Sequence, residues 1–251
     1  MPYGTYVFCF AEPNVKVDLD RVRTQRSAAC SAVISEVEVE EFSQENMENA
    51  DWLLPRATWH EQVVETVLAL SPVLPAPFGT LFSTPEKLSQ YIELNQERIA
   101  RFLREIAGKQ EWSLKVAADL QLVSEPPVMA AAQGQQQADL SGLTPGARYL
   151  EEKKKRSQPE GSALEPIISA VAEDLGTIAS ARVARKVVNE EDAERPVLQH
   201  WAFLVPGNQV DVFRALAEAA AREYGPHGLE FRVSGPWPPY SFVPELQPLQ
   251  D

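Results

Sequence analysis

The chain has 251 residues, of which 44% are hydrophobic and 24% are charged, and this composition excludes a wholly disordered or fibrous protein. Its formal net charge is −13, which argues against binding to nucleic-acid phosphates, because such binding requires a basic surface. The sequence contains no apolar run long enough to cross a membrane, and two cysteines are too few for a disulfide framework.

The beginning of the chain predicts two strands and a helix. Residues 3–10 (YGTYVFCF) are aromatic and β-branched, which is typical of a buried strand. Residues 37–40 alternate between valine and glutamate, as in a half-exposed strand. Residues 56–70 carry an apolar stripe at helical spacing, which predicts a helix. The helix is expected to end just before Pro72, because proline cannot continue it.

An extended segment and a second long helix follow. Residues 73–83 (VLPAPFGTLFS) predict an edge strand or an irregular strand, because each of the two prolines removes a ladder donor. Thr84 is a suitable N-cap, and Pro85 is suited to the first helical position. The apolar stripe then continues to Gly108, where we expect the helix to end.

The middle of the chain changes in composition. Residues 111–120 predict a strand, whereas residues 124–142 are rich in alanine, glutamine and proline and predict a mobile loop. Residues 146–156 predict a polar helix inserted before the next core helix. Ser162 and Glu165 have the spacing of a capping box, which indicates where that core helix begins.

The last third predicts a hairpin, a helix and a final strand. Residues 181–188 and 197–205 are suited to the two strands of the hairpin. Asn208 is predicted to cap the next helix, which ends at the Gly-Pro pair of residues 225–226. Apolar and charged residues alternate over 229–233, as in a half-exposed strand.

The element order predicts an α+β protein of two domains. Residues 1–110 are expected to form an irregular α+β domain. Residues 111–251 follow the order strand, helix, strand, strand, helix, strand, which is the ferredoxin-like βαββαβ order with a helical insertion and a C-terminal tail.

The residues that most often perform chemistry are scattered along the chain. His60, His200 and His227 lack the spacing of metal ligands, so structural roles are favoured for all three. Cys9 lies inside a predicted strand, which favours a buried and inert thiol. Residues 1–10 lack the basic flank and cleavage site of a secretion signal. We therefore expect no catalytic residues, no metal, no cofactor and a cytoplasmic protein.

The aromatic and proline segment near the C-terminus is the candidate binding site. Prolines restrict the backbone and aromatic side chains dominate protein interfaces, so this segment suits a rigid apolar surface for a protein partner. Packing in the core is the competing interpretation. The candidate partner-binding residues are Trp237, Pro238, Pro239, Tyr240 and Phe242.

Several motifs together resemble the GvpF/GvpL family of gas vesicle proteins, and the absence of long insertions favours the F branch. The motifs follow the family order over nearly the whole chain. They are residues 3–8 (YGTYVF), Trp59-His60-x-x-Val63-Val64, residues 73–82 (VLPAPFGTLF), Gly108-x-x-Glu111-Trp112-x-x-Lys115-Val116, Tyr149-Leu150-x-x-Lys153 and residues 235–242 (GPWPPYSF).

The resemblance implies an accessory or minor structural protein of gas vesicles, and not an enzyme. Gas vesicles are gas-filled protein shells that provide buoyancy, and their main shell protein is small and very hydrophobic. The resemblance implies that the chain acts in the cytoplasm at the gas vesicle. It also implies that the chain binds the main shell protein and limits its aggregation during nucleation, with other gas vesicle proteins as further candidate partners. No nucleic acid or lipid membrane is expected as a partner.

Two other functions remain open at the level of sequence. Ferredoxin-like units often hold ligands, so a small-molecule-binding protein or sensor is the main alternative, resting on fold analogy alone. A cysteine-dependent enzyme is the other alternative, and it would require a base close to Cys9.

Overall fold

The computed structural model describes residues 3–119, 122, 164–187 and 195–249. It contains helices and antiparallel sheets, so the predicted α+β class is confirmed. The strands are β1 (Tyr3–Ala11), β2 (Arg23–Arg26), β3 (Ser31–Glu38), β4 (Val73–Pro75), β5 (Leu81–Phe82), β6 (Lys109–Ala118), β7 (Ala181–Ala184), β8 (Val197–Pro206) and β9 (Leu229–Trp237). The α-helices are α1 (Gln44–Glu48), α2 (Ala50–Leu68), α3 (Pro85–Ile106), α4 (Glu165–Ile178) and α5 (Val210–Tyr224).

The described chain divides into two compact units. The first unit comprises Met1–Glu111 and Pro236–Asp251, and the second comprises Trp112–Gly235. From the sequence, residues 236–251 were expected to belong to the C-terminal domain, whereas their contacts group them with the first unit. The division into domains at 110/111 stays a prediction. The site described below combines residues from both segments of the first unit.

The first unit is built around β1, whose residues 4–11 are all buried. The strand order of its sheet is β2-β3-β1-β4, and β5 also pairs with β1. A β-bulge between Val7 and Cys9 shifts the register between β1 and β3. Val63, Val64 and Val67 of α2 pack on one side with Tyr6 and other β1 residues, forming an apolar core.

Side-chain caps mark where the two long helices of the first unit begin. The Thr84 hydroxyl accepts a hydrogen bond from the Lys87 amide, and Pro85 occupies the first turn of α3, so this predicted start is confirmed. The Asn49 side chain caps α2 in the same way by accepting from the Asp51 amide. Gly108 follows α3 with a φ of 70°, a conformation that favours glycine.

The second unit contains a four-stranded sheet in the order β7-β8-β6-β9. β8 therefore lies between β6 and β7, which is the arrangement of a split βαβ unit. The predicted hairpin is confirmed, since β7 and β8 pair antiparallel from Ala181 with Leu204 to Ala184 with Trp201. Helices α4 and α5 cover the apolar core, in which Phe203 and Phe213 are fully buried. The ferredoxin-like assignment stays a prediction that this strand order supports.

The predicted cap of α5 is wrong. Asn208 lies within a short 3₁₀ turn, Gly207–Gln209, and Gln209 precedes the helix with no side-chain capping bond. The backbone of Gln209 is already in the right-handed helical region, whereas a side-chain cap needs an extended residue at this position. The chain thus enters α5 by tightening into a 3₁₀ turn.

The predicted capping box of α4 depends on Ser162, which lies outside the described residues, so the box stays a prediction. Leu164 precedes the helix, its backbone is helical, and it makes no side-chain capping bond. The predicted loop at 124–142 and the predicted polar helix at 146–156 also lie outside the described residues.

Candidate partner-binding site

The predicted binding motif lies where β9 ends and a 3₁₀ turn, Tyr240–Phe242, begins. Trp237 is 41% exposed, whereas Pro238 and Pro239 are buried. Tyr240 and Phe242 are partly buried. The structure therefore separates the five candidates, because Trp237 presents a large aromatic surface to solvent and the two prolines do not.

Hydrogen bonds to two glutamates fix the motif within the first unit. The Tyr240 hydroxyl donates to Glu61 Oε2 of α2 at 3.0 Å. Ser241 donates twice to Glu111, from its amide to Oε2 at 3.0 Å and from its hydroxyl to Oε1 at 2.7 Å. Glu111 is only 2% exposed, and these bonds satisfy a carboxyl that would otherwise be expensive to bury. Trp237 is thus carried by a firmly held segment.

Burial also shifts the pKa values of Glu61 and Tyr240, which form one of these hydrogen bonds. Burial raises the pKa of Glu61, and the hydrogen bond from Tyr240 offsets part of that rise. Burial and the neighbouring Glu61 carboxylate raise the pKa of Tyr240 well above its usual range. The phenol therefore stays protonated and remains a donor to Glu61 at any physiological pH.

An aromatic pocket of about 370 Å³ opens on another part of the first unit. Tyr6 and Phe8 of β1 lie beside Phe42 and Phe78, and Trp59 of α2 forms part of the wall. The ring centroids of Tyr6 and Phe8 are 4.9 Å apart, and those of Tyr6 and Phe42 are 5.3 Å apart. Trp59 is 40% exposed, so the pocket has an accessible aromatic rim.

A buried histidine, His60, is hydrogen-bonded to Tyr6, one of the aromatic side chains that line the pocket. His60 Nδ1 lies 2.6 Å from the Tyr6 hydroxyl, and Nε2 lies 3.1 Å from the Ala76 carbonyl oxygen. Because a carbonyl only accepts, Nε2 carries the proton and Nδ1 accepts from Tyr6. The Tyr6 oxygen in turn accepts from the Gly79 amide at 3.4 Å. Burial lowers the pKa of His60 to about 4, so the ring is neutral near pH 7.

Acidic residues surround the pocket. Glu36 and Glu38 of β3 line it together with Glu41. Arg56 pairs with Glu41 at 3.3 Å and stacks over the Trp52 ring at 4.3 Å from the ring centroid, so its charge is already compensated. The pocket thus combines an aromatic interior with an acidic rim.

The remaining candidate residues have structural positions. Cys9 and Cys30 are buried, and burial raises the pKa of both thiols, which keeps them protonated and unreactive. His200 is hydrogen-bonded to the Ser113 hydroxyl at 2.9 Å, and His227 is exposed. Among the described residues, no three histidine, cysteine or carboxylate side chains are grouped as a metal site would require. In this same part of the chain, no helix is both long and apolar enough to cross a membrane.

Sequence reasoning missed the aromatic pocket, because its residues come from β1, β3, α2 and the segments around Phe42 and Phe78. A signal was nevertheless present. The Trp59-His60 pair and the segment from Ala76 to Thr80 are two of the motifs that carry the family resemblance. The structure brings them together through the hydrogen bond between His60 and Ala76.

Comparisons with known proteins agree with the resemblance. The model of the family described as gas vesicle synthesis protein GvpL/GvpF matches residues 4–244. The chain is 26% identical to gas vesicle protein L2 of Halobacterium salinarum over 97% of this chain and 92% of that protein. It is 22% identical to gas vesicle protein L of a Streptomyces species over 78% of this chain and 72% of that protein.

Two solved structures have the same fold. The crystal structure of GvpF from Anabaena superimposes with a TM-score of 0.70 and 18% identity, covering 99% of both chains. GvpF from Microcystis aeruginosa gives a TM-score of 0.65 and 20% identity over 96% of this chain and 99% of that one. The relatives carry L names and the structures carry F names, so the branch is not resolved. The match over residues 4–244 nevertheless shows that the chain belongs to the GvpL/GvpF family of gas vesicle proteins.

Proposed function

We propose that this protein is an accessory component of gas vesicles that acts in the cytoplasm during assembly. In this role it binds the hydrophobic main shell protein and limits its aggregation during nucleation. The observation that carries the proposal is the family match over residues 4–244, which places the chain among gas vesicle synthesis proteins.

The surface of the molecule suits this role. A shell subunit with a water-repelling face exposes a large apolar patch until it assembles. A partner that covers the patch must offer apolar contacts, while a net charge of −13 opposes coaggregation of the resulting complexes. An accessory protein therefore needs a few rigid apolar contacts on an otherwise acidic surface.

Trp237 is the contact that we propose from the predicted motif. Its ring is 41% exposed, and the next four residues are held by burial of two prolines and by the hydrogen bonds of Tyr240 and Ser241. A rigid mount reduces the conformational entropy lost on binding. Pro238 and Pro239 are buried and so are not accessible to a partner, whereas Tyr240 and Phe242 offer smaller accessible surfaces than Trp237.

A pull-down of the main shell protein tests this proposal. Trp237→Ala should weaken binding at least about tenfold, as expected for an aromatic hot spot, and should leave Tm nearly unchanged. Leu94→Ala is the matched control, because Leu94 is 47% exposed on α3 and lies outside the motif. Wild-type protein that fails to retain the shell protein would contradict the function. Full binding by Trp237→Ala would contradict only the contact.

Small-molecule binding remains the second candidate function, and one observation favours it. The second unit contains a cleft whose lining includes Trp112, Arg214 and Phe231. Its volume of about 400 Å³ is within the size range of ligand pockets. A rise in Tm with a metabolite library would support this alternative, since a ligand that binds only the folded state stabilises it.

A further inference from the structure

We infer that the outer edge of β3 at residues 35–38, together with the aromatic pocket beside it, is a docking site for an extended peptide segment of a protein partner. The segment would alternate apolar and basic side chains and would add to the sheet as an extra strand. This inference goes beyond the proposed function, because it concerns a different surface from Trp237 and does not depend on which protein supplies the segment.

The edge is available because β2 is shorter than β3. β2 pairs with β3 from Arg23 opposite Ile34 to Arg26 opposite Ser31. β1 covers the other side of β3 along its whole length, from Tyr3 opposite Glu38 to Ala11 opposite Ser31. In the part of the chain that the structure describes, no strand therefore pairs with the outer side of residues 35–38. Backbone groups on that side can pair with an added strand.

The register of β3 specifies the pattern of the guest. Ser35 and Val37 lie opposite Tyr6 and Gly4, so they share the sheet face that carries the apolar core beneath α2. Glu36 and Glu38 occupy the alternate positions, so their side chains start from the other face, but both residues still border the cavity at the open edge of β3. An added strand would place every second residue toward the aromatic pocket and the intervening residues beside the two glutamates.

The pocket lies directly beside this edge. Ser35, Val37 and both glutamates of the edge line the same cavity as Tyr6 and Trp59. Its volume of about 370 Å³ is enough for a large apolar side chain, and its aromatic walls favour one. A guest residue on the core face of the sheet would thus enter a preformed aromatic site.

The charge at the edge indicates basic residues in the guest. Within the described ranges, Glu36 and Glu38 form no ion pair, although Glu38 accepts a long hydrogen bond of 3.5 Å from the Tyr3 hydroxyl. The two basic side chains that also line the pocket are each closer to another carboxylate: Arg56 lies 3.3 Å from Glu41, and the exposed Arg21 lies 3.6 Å from Asp20. Lysine or arginine at alternate guest positions would compensate both glutamates.

Charged residues on an open edge also protect proteins against unwanted strand pairing. That role alone would not require an aromatic cavity beside the edge. The combination discriminates between guests. The glutamates repel an acidic strand, and a purely apolar strand would desolvate them without compensating their charge. The pocket favours an apolar side chain at alternate positions.

Fluorescence anisotropy with synthetic peptides tests the site in the full-length protein. The probe is a short peptide that alternates lysine with phenylalanine and valine, and we expect saturable binding. Three control peptides each remove one feature: glutamate replaces lysine, the sequence is scrambled, or alternate backbone amides are N-methylated to block strand pairing. Each control should bind at least about tenfold more weakly than the probe.

Protein variants locate the binding. Trp59→Ala should weaken the probe about tenfold, whereas Leu54→Ala should leave it within twofold, because Leu54 is 64% exposed on the same helix and does not line the pocket. The double variant Glu36→Lys and Glu38→Lys should reverse the preference, so that the glutamate peptide binds more tightly than the lysine peptide.

The peptide controls keep the inference falsifiable even if a variant folds poorly. No saturable binding of the lysine peptide to wild-type protein would overturn the inference. Equal binding of the N-methylated peptide would overturn strand addition, and unchanged binding to a folded Trp59→Ala variant would overturn the pocket.

Discussion

His60 shows how one buried side chain determines the backbone around it. Its two nitrogens join the Tyr6 hydroxyl of β1 to the Ala76 carbonyl, and the Tyr6 oxygen accepts from the Gly79 amide. Two of these three hydrogen bonds hold the segment that carries Phe78, one to α2 through Ala76 and one to β1 through Gly79, next to the apolar core. Satisfied buried networks of this kind are stabilising only while every member is present.

Stability should depend on the protonation of His60. Its pKa is lowered from 6.5 to about 4 in the folded state, so the unfolded chain binds the proton more readily between these values. Neutral His60 contributes fully to the free energy of unfolding above about pH 6.5. This contribution is lost as pH falls toward 4, by up to about 3 kcal/mol. Urea unfolding at several pH values measures this effect. The difference in free energy of unfolding between wild type and His60→Gln should become smaller as pH falls from 6.5 to 4. A constant difference would contradict the account, and His227→Gln, at an exposed site, provides the control.

Tyr6→Phe should destabilise the protein by about 1–3 kcal/mol, since it leaves His60 Nδ1 as a buried acceptor without its donor. Tyr3→Phe is the matched control, because Tyr3 is 57% exposed and its 3.5 Å bond to Glu38 is long. Chemical denaturation of both variants compares them directly, and equal midpoints would show that the network contributes nothing.

The C-terminal segment acts as a structural element of the first unit. Beyond the 3₁₀ turn, Asn95 of α3 makes two bonds with Gln247, accepting from its amide at 2.7 Å and donating to its carbonyl at 2.9 Å. Asn95 is only 1% exposed, and Arg98 donates to the Glu245 carbonyl at 2.9 Å. Together with Ser241 and Tyr240, these contacts fasten residues 240–247 to α2, α3 and the beginning of β6.

Asn95→Ala should release the end of this segment. The substitution removes both bonds to Gln247, and we expect about 1–3 kcal/mol of lost stability with faster amide exchange at residue 247. Hydrogen exchange followed by mass spectrometry measures both effects. Ser89→Ala, at a hydroxyl near the exposed start of α3, should leave the segment protected. Unchanged exchange in Asn95→Ala would show that the segment is held by other contacts.

Elements with a strong local signal were predictable from the sequence. Thr84 and Pro85 specify the start of α3 because cap chemistry depends on neighbours in the chain. The start of α5 was predicted wrongly because a 3₁₀ turn, which satisfies the same amides, has no distinctive signature at Asn208. The attachment of residues 240–247 to α3 involves partners about 150 positions apart, and no pattern of spacing reports such contacts.

At the scale of the whole molecule, an acidic surface is combined with a small number of accessible aromatic side chains. Trp237 and Trp59 are both about two-fifths exposed, and each is mounted on hydrogen-bonded or helical backbone in the first unit. The sequence indicated Trp237 because it lies in a compact motif of prolines and aromatics. The pocket beside Trp59 escaped prediction, because it is assembled by β1, β3 and α2 from distant parts of the chain.

Aggregation of the main shell protein tests the proposed role most directly. The shell protein is diluted from denaturant and its light scattering is followed with increasing amounts of this protein, with Leu94→Ala as a folded control. We predict that scattering falls as the added protein approaches equimolar amounts, that the control acts like wild type, and that Trp237→Ala suppresses scattering less well. Scattering that is unchanged, or increased, at an excess of wild-type protein would contradict the proposed function.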